Sequence, residues 1–224
     1  MDQNIITKNL PFFTSWSGGK DSTLAHYRAL KNGGEAKALF TMFTEEDTHS
    51  RSHGLPKEVL IAQARSLNIP FVCKGATWQS YEEVFVKVLH NFKESGIQMG
   101  VFGDIDLDEH RQWQEKVCKT ANVRPYLPLW KEERRKLLLE FINLGFKTMI
   151  IAAKDKVMPK SFLGKTMDLC LVEEIEKLGV DACGEEGEFH TVVYDGPIFS
   201  YPLYLKLGEK VLKNGYWFQE VMLK

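Results

Sequence analysis

The fold turns on the stretch Phe12-Phe13-Thr14-Ser15-Trp16-Ser17-Gly18-Gly19-Lys20-Asp21-Ser22-Thr23-Leu24-Ala25-His26-Tyr27. An apolar run leads into a glycine-rich loop, and the loop leads into a helical pattern, which reads as strand, loop and helix. Two consecutive glycines let backbone N–H groups approach an anion closely. Ser17 and Ser22 add hydroxyls, and the helix presents its positive end to the same point. Phosphate is the ligand such a loop suits. It is not the Walker loop, G-x-x-x-x-G-K-[ST], because only the glycine pair precedes Lys20 and Asp21 follows it. An aspartate beside phosphates makes sense with a cation between them, so Mg²⁺ is implied. The plain alternative is a glycine turn with a helix cap.

Outward from that loop, residues 11 to 103 alternate short apolar runs with longer amphipathic stretches, the rhythm of strand, crossover helix and parallel strand. Strands are expected at Phe12 to Trp16, Ala38 to Phe43, Phe71 to Cys73 and Gly100 to Phe102. Helices are expected at Lys20 to Lys31, Lys57 to Leu67, Tyr81 to Glu94 and Glu109 to Thr120, with Asn32-Gly33-Gly34 and Ser95-Gly96 as stops. The loops at the strand ends should line the site. Pro125 and Pro128 mark the expected boundary between a first lobe, residues 1–125, and a second, residues 126–224. Beyond it come a helix at Glu132 to Leu144, a strand at Thr148 to Ala153 and a helix at Thr166 to Leu178. The aromatic and β-branched segments Phe189 to Tyr194, Tyr204 to Leu207 and Tyr216 to Met222 read as an antiparallel group. The fold class is thus α/β with a smaller C-terminal α+β lobe.

Composition narrows the function. In 224 residues, 29 basic side chains stand against 30 acidic ones, for a net charge of −1, and 44% of residues are hydrophobic. That excludes a disordered tail and a disulfide-stapled miniature, and it removes the basic excess a dedicated nucleic-acid binder gathers. The start, with Asp2 and no continuous apolar run, carries no expected signal peptide, and no run reaches the length of a membrane span. Cys73, Cys118, Cys170 and Cys183 form no C-x-x-C pair, so reduced thiols in a cytoplasmic protein are expected.

Two further segments carry chemistry. Gly103-Asp104-Ile105-Asp106 ends the fourth strand and runs into Asp108-Glu109-His110-Arg111-Gln112-Trp113. A parallel sheet sets that end beside the phosphate loop, where Asp104 would ligate metal or orient a ribose. Asp108 reads equally as a cap for the next helix, and Arg111 as a partner of phosphate, Asp104 or Asp108. The second segment, Cys183-Gly184-Glu185-Glu186-Gly187-Glu188-Phe189-His190-Thr191, packs three glutamates and a histidine around two glycines. Such density reads as a binding or catalytic loop, with a solvated acidic turn as the alternative. Cys183 alone reads as an inert small hydrophobe.

SGGKDS at Ser17 to Ser22 resembles the pyrophosphate loop of enzymes that cut ATP between its α and β phosphates. Together with RSHGLP at Arg51 to Pro56, GDIDLDEHRQWQEKVC at Gly103 to Cys118, PLW at Pro128 to Trp130 and CGEEGEFHTVVYDGPIF at Cys183 to Phe199, it resembles the diphthine–ammonia ligase family across nearly the whole chain. The last motif selects that family. The resemblance implies a HUP-type nucleotide-binding lobe followed by a family-specific lobe. It implies ATP and Mg²⁺ as cofactors and adenylation of a carboxylate, with ammonia then displacing AMP to leave an amide. In the named reaction the carboxylate belongs to diphthine on elongation factor 2. Carried over residue by residue, Ser17, Gly18, Gly19, Lys20, Asp21, Ser22, Gly103 and Asp104 bind the nucleotide, with Asp21 and Asp104 on the metal. Gly184, Glu185, Glu186, Gly187, Glu188, His190 and Thr191 face the acceptor, and Lys20, Asp104, Glu188 and His190 are expected to carry the chemistry. Two positions depart from the family pattern: Glu186, where a neutral residue is common, and Lys165, where arginine is commoner and would offer a bidentate fork. The expected partners are ATP, ammonia and the carboxylate acceptor, with room for a homodimer and without membrane or nucleic acid. The alternatives left open are a different acceptor, as in a bacterial relative, and a tRNA-modifying adenylase.

Overall fold

The computed structural model describes residues 9–45, 49–51 and 53–224, so the first eight residues, with Asp2, and Ser52 of the Arg51–Pro56 motif lie outside the described residues. Five strands, β1 (Pro11–Ser15), β2 (Glu35–Phe43), β3 (Phe71–Gly75), β4 (Met99–Val101) and β5 (Arg124–Tyr126), form a wholly parallel sheet in the order β3-β2-β1-β4-β5. The chain winds outward from β1 in one direction through β2 and β3 and in the other through β4. The crevice at the carboxyl end of β1 is therefore the switch point where such sheets bind ligands. The phosphate loop stands there.

Side chains alternate across a strand, so Phe12 and Phe13 enter different cores. Phe13 and Phe40 meet Phe85, Val88, Leu89 and Phe92 of α3 (Tyr81–Glu94) and Val117 and Cys118 of α4 (Asp108–Thr120). Phe12 meets Leu24, Ala25 and Ala29 of α1 (Lys20–Lys31), with Leu137 and Phe141 of α5 (Arg134–Asn143). The first-lobe helices all fall where their apolar spacing places them.

Residues 147–223 build a second, antiparallel sheet from β6 (Lys147–Lys154), β7 (Phe189–Asp195), β8 (Leu205–Lys213) and β9 (Tyr216–Leu223), in the order β7-β6-β9-β8. The β6 strand, expected at Thr148 to Ala153, sits inside this group. The two sheets share α2 (Lys57–Leu67), whose Val59, Leu60 and Ala64 pack with Trp16, Leu39 and Phe43 of the first sheet and with Ile151, Val192 and Val221 of the second.

Two element bounds are corrected, and the proline-marked stretch gains a strand. The proline-marked stretch is itself a strand, β5: Pro125 is tolerated because β5 is the sheet edge, where a missing N–H breaks little. The last helix, α6 (Leu169–Lys177), starts later than Thr166 because Asp168 caps it, its carboxylate accepting the Leu171 N–H at 2.8 Å, while Thr166 bridges to Met149. The strand expected to end at Leu207 runs on to Lys213, because a register shift between Leu207 and Lys210 absorbs Gly208 and Glu209.

Candidate active site

Lys20 opens α1 and is buried, with its Nζ 2.7 Å from Asp21 Oδ2 and 4.0 Å from Glu185 Oε1. Burial alone would lower its pKa, but Asp21, the Cys183 thiol and Glu185 outweigh it and hold the ammonium charged above its ordinary range. Ser17 Oγ meets Ser22 Oγ at 3.0 Å, and the Ser22 and Thr23 hydroxyls donate to Gly19 O, tying the loop to the first helical turn. Gly18 takes φ +80°, and a Cβ there would come within 2.7 Å of Leu60 and 2.8 Å of Gln63, so the glycine is required twice over. A Cβ on Gly103 would fall 2.7 Å from Ser22 N, so this glycine lets the β4 loop lie against the start of α1.

The second sheet closes over the loop. Lys20 N donates to Thr191 Oγ1 at 3.2 Å, and Val193 N donates to Gly18 O at 2.9 Å. Beneath them the fully buried Gln63 of α2 accepts from Trp16 Nε1 at 2.9 Å and donates to Gly18 O at 3.0 Å and Val193 O at 2.6 Å. One glutamine thus pins β1, the phosphate loop and β7 together.

A cleft of about 830 Å³ opens above this frame, lined from the first lobe by Ser17, Lys20, Asp21, Ser22, Gly103 and Asp104. Gly184, Glu185, Glu186, Gly187, His190 and Thr191 line it from the second. Its far wall is aromatic, with Phe85, Tyr81 and Trp113 in mutual contact and the Arg51 guanidinium 4.5 Å over the Trp78 ring. Burial first, then Asp21 and Asp104, push the Glu185 carboxyl up to about 8, with Lys20 pulling against them. Glu188 lies behind the wall, where its Oε2 accepts the Glu186 N–H at 3.0 Å and shapes the turn.

Asp104 is held by Gln114 Nε2 and by His110 Nδ1 at 2.8 Å, and its bond to the histidine raises the histidine's pKa. Asp106 turns away into a bidentate pair with Arg134, 2.8 Å at both oxygens, and is held below its usual range by that bond. Arg134 reaches Asp181 as well, at 2.8 Å, and Asp181 accepts the N–H groups of Cys183 and Glu185. The Cys183 thiol donates to Arg134 O at 2.9 Å, and burial pushes its pKa up to about 12, which fits an inert thiol. Arg111 meets neither of its expected carboxylates: it pairs with Glu115 at 2.7 Å and lies over Trp130. Lys165 pairs with Glu174 outside the cleft.

Among the described residues no group of three or more His, Cys, Asp or Glu side chains could hold a metal on protein ligands alone. Mg²⁺ does not require one, since it takes one or two carboxylates and completes its octahedron with water and phosphate oxygens. Asp21 and Asp104, which both raise the Glu185 pKa from the same cleft, fit that pattern.

Sequence reasoning passed over Gln63 and Arg134, which carry no motif, and assigned no part to His53 although it lies in the Arg51–Pro56 segment. His53 stacks on His190 with ring centroids 4.6 Å apart.

The family model for the diphthamide synthase N-terminal domain matches residues 12–125, and that for the diphthamide synthase C-terminal domain matches residues 133–222. The chain belongs to the diphthamide synthase family. Among curated relatives of this family member, the diphthine–ammonia ligase of Homo sapiens is 29% identical over 226 residues, which cover 88% of this chain and 84% of the relative. That of Danio rerio is 28% identical over 222 residues, covering 88% and 87%. A crystal structure described as a predicted subunit of tRNA methyltransferase from Methanocaldococcus jannaschii matches 82% of this chain and 96% of that one, at 15% identity and a TM-score of 0.44. Among the described residues no helix is long and apolar enough to cross a membrane.

Proposed function

We propose that this diphthamide synthase family member is an ATP-dependent amide ligase that adenylates a carboxylate, releasing pyrophosphate, and lets ammonia displace AMP. The observation that supports this most is the seating of the Cys183–Thr191 segment on the phosphate loop through the Lys20 N–H to Thr191 Oγ1 bond. A nucleotide gripped by the loop would present its α phosphate to whatever the second lobe delivers. In this reading the β and γ phosphates meet the loop's backbone N–H groups and the Lys20 ammonium, which stabilises the charge that grows on the departing pyrophosphate. Asp21 and Asp104 would hold Mg²⁺, which supplies charge neutralisation along the phosphates. Glu185, Glu186, His190 and Thr191 face the acceptor, and Glu188 keeps their turn in shape. The relatives' name points to diphthine as the acceptor, and elongation factor 2 as the carrier of that diphthine and the cytoplasm as the place of work are part of the same proposal. Residues 1–125 would handle ATP and residues 126–224 the acceptor.

Separation of the nucleotide products tests this. With acceptor and ammonium present, ATP should yield AMP and pyrophosphate, and Lys20→Ala should slow that by about a hundredfold or more, the usual cost of losing one preorganised charge on a transition state. ADP and phosphate as products would sink the reading.

A further inference from the structure

His53 reaches the cleft from the loop between β2 and α2, on the first lobe, and no role has been assigned to it. Its ring lies over the phosphate loop, where a Cβ on Gly19 would come 2.4 Å from His53 Cε1, and it stacks at 27° on His190 of β7. Its Nδ1 stands 3.1 Å from Thr191 O. A carbonyl oxygen can only accept, so Nδ1 carries the hydrogen, and in a neutral ring Nε2 is then a bare lone pair. The neutral ring is the expected one, because burial, and the Lys20 charge to a smaller degree, push the His53 pKa down to about 4 against the pull of the Thr191 bond. His190 is lowered to about 3, by burial first and then by His53 and Lys20.

A bare imidazole nitrogen beside a permanent cation suits a neutral N–H donor. Phosphate oxygens offer it no hydrogen, and the nucleophile of an amide step has to be NH₃, since ammonium has no lone pair with which to attack. We propose that His53 is a catalytic residue of the amide step, with Nε2 receiving ammonia as NH₃ and taking one of its protons as the carbon–nitrogen bond forms. This rests on the ligase reading above. The nitrogen lone pair attacks the acyl carbon of the adenylate, and the proton shed by the new ammonium passes to His53 Nε2. The carbon–oxygen bond to AMP breaks with its electron pair leaving on AMP, and His53 afterwards releases the proton to solvent.

His53→Asn tests this, because the asparagine amide can still donate to Thr191 O while the acceptor nitrogen is gone. In the full chain, with diphthine-bearing elongation factor 2 as probe, pyrophosphate exchange into ATP without ammonia reads adenylate formation, and amide formation from ammonium salts reads the second step. The variant should keep exchange within about threefold and lose about a hundredfold in amide formation, the usual share of a positioned proton acceptor. Hydroxylamine, a strong nucleophile largely unprotonated at neutral pH, should restore capture of the adenylate as a hydroxamate. Exchange falling in parallel with amide formation, or amide formation left intact, would overturn the proposal. If the unsubstituted chain shows no exchange, the ligase reading fails. The tautomer of His53 in the ligand-free chain, read from long-range ¹H–¹⁵N spectra with His53→Asn as the assignment, then decides separately. A bare Nε2 at pH 7 keeps His53 as an acceptor, and an Nε2–H overturns it.

Discussion

Lys20, Asp21 and Glu185 form the charge centre of the cleft, and their electrostatics lead to a pH signature. Glu185 is pushed up to about 8 in the folded chain from an ordinary value of 4.5. A group whose folded pKa is raised in this way costs nothing while both states are protonated, below about pH 4.5. The penalty grows as the unfolded chain ionises first, and it levels off above about pH 8. With the side chain only 12% exposed, the full penalty is on the order of a few kcal/mol. Glu185→Gln should therefore gain stability over the unsubstituted chain between pH 5 and pH 8, measured by urea unfolding without divalent cations. Parallel stability curves across that range would contradict the assignment. Lys20 and Asp21 were legible as candidates because SGGKDS stands between a strand and a helix, the setting that suits a phosphate, whereas Glu185 was legible only as part of an acidic cluster. Nothing in that cluster separates Glu185, which faces the cleft, from Glu188, which turns behind it: a separation of three positions does not determine orientation in a loop.

At the scale of elements, the site depends on helix α2, although α2 contributes no side chain to the chemistry. Gln63 holds the phosphate loop and β7 in register. Gln63→Leu fills the same space but leaves Trp16 Nε1 and Val193 O without their buried partner. It should cost about 2–4 kcal/mol in urea unfolding, the range for one or two buried polar groups stripped of hydrogen bonds, while Ala substitution at the exposed Lys87 of α3 should be nearly neutral. A loss below about 0.5 kcal/mol would mean that the loop is held by other contacts. The strand and helix pattern of the first lobe was readable because parallel strands and their crossover helices alternate in apolar rhythm. The β5 strand was not: Pro125, with Pro128 just beyond it, imitates a linker, and the edge position of β5 makes Pro125 harmless. Gln63 was equally invisible, since a glutamine at a helical position looks the same whether it faces water or three buried polar atoms.

Across the whole molecule, two arginines join the lobes into one site. Arg28 of α1 takes Pro128 O together with Glu132 and Glu140 around α5, and Arg134 binds the Asp106 loop to Asp181 at the root of the Glu185 turn. The Ser17–Ser22 loop and the Cys183–Thr191 segment, 171 residues apart at Lys20 and Thr191, are thereby one continuous wall. That meeting could not be derived from spacing or periodicity, because the second sheet's contacts with the first run through long-range pairs such as Gly18 with Val193. In the proposed function this wall serves transfer of an adenylyl group to a carboxylate. In the proposed adenylation the carboxylate oxygen becomes a leaving group by joining the α phosphate, so it departs within AMP. The most direct measurement is mass analysis of AMP formed from acceptor carboxylate carrying heavy oxygen. One heavy oxygen in the AMP phosphate is the predicted result. Unlabelled AMP alongside amide product would contradict carboxylate activation and with it the account.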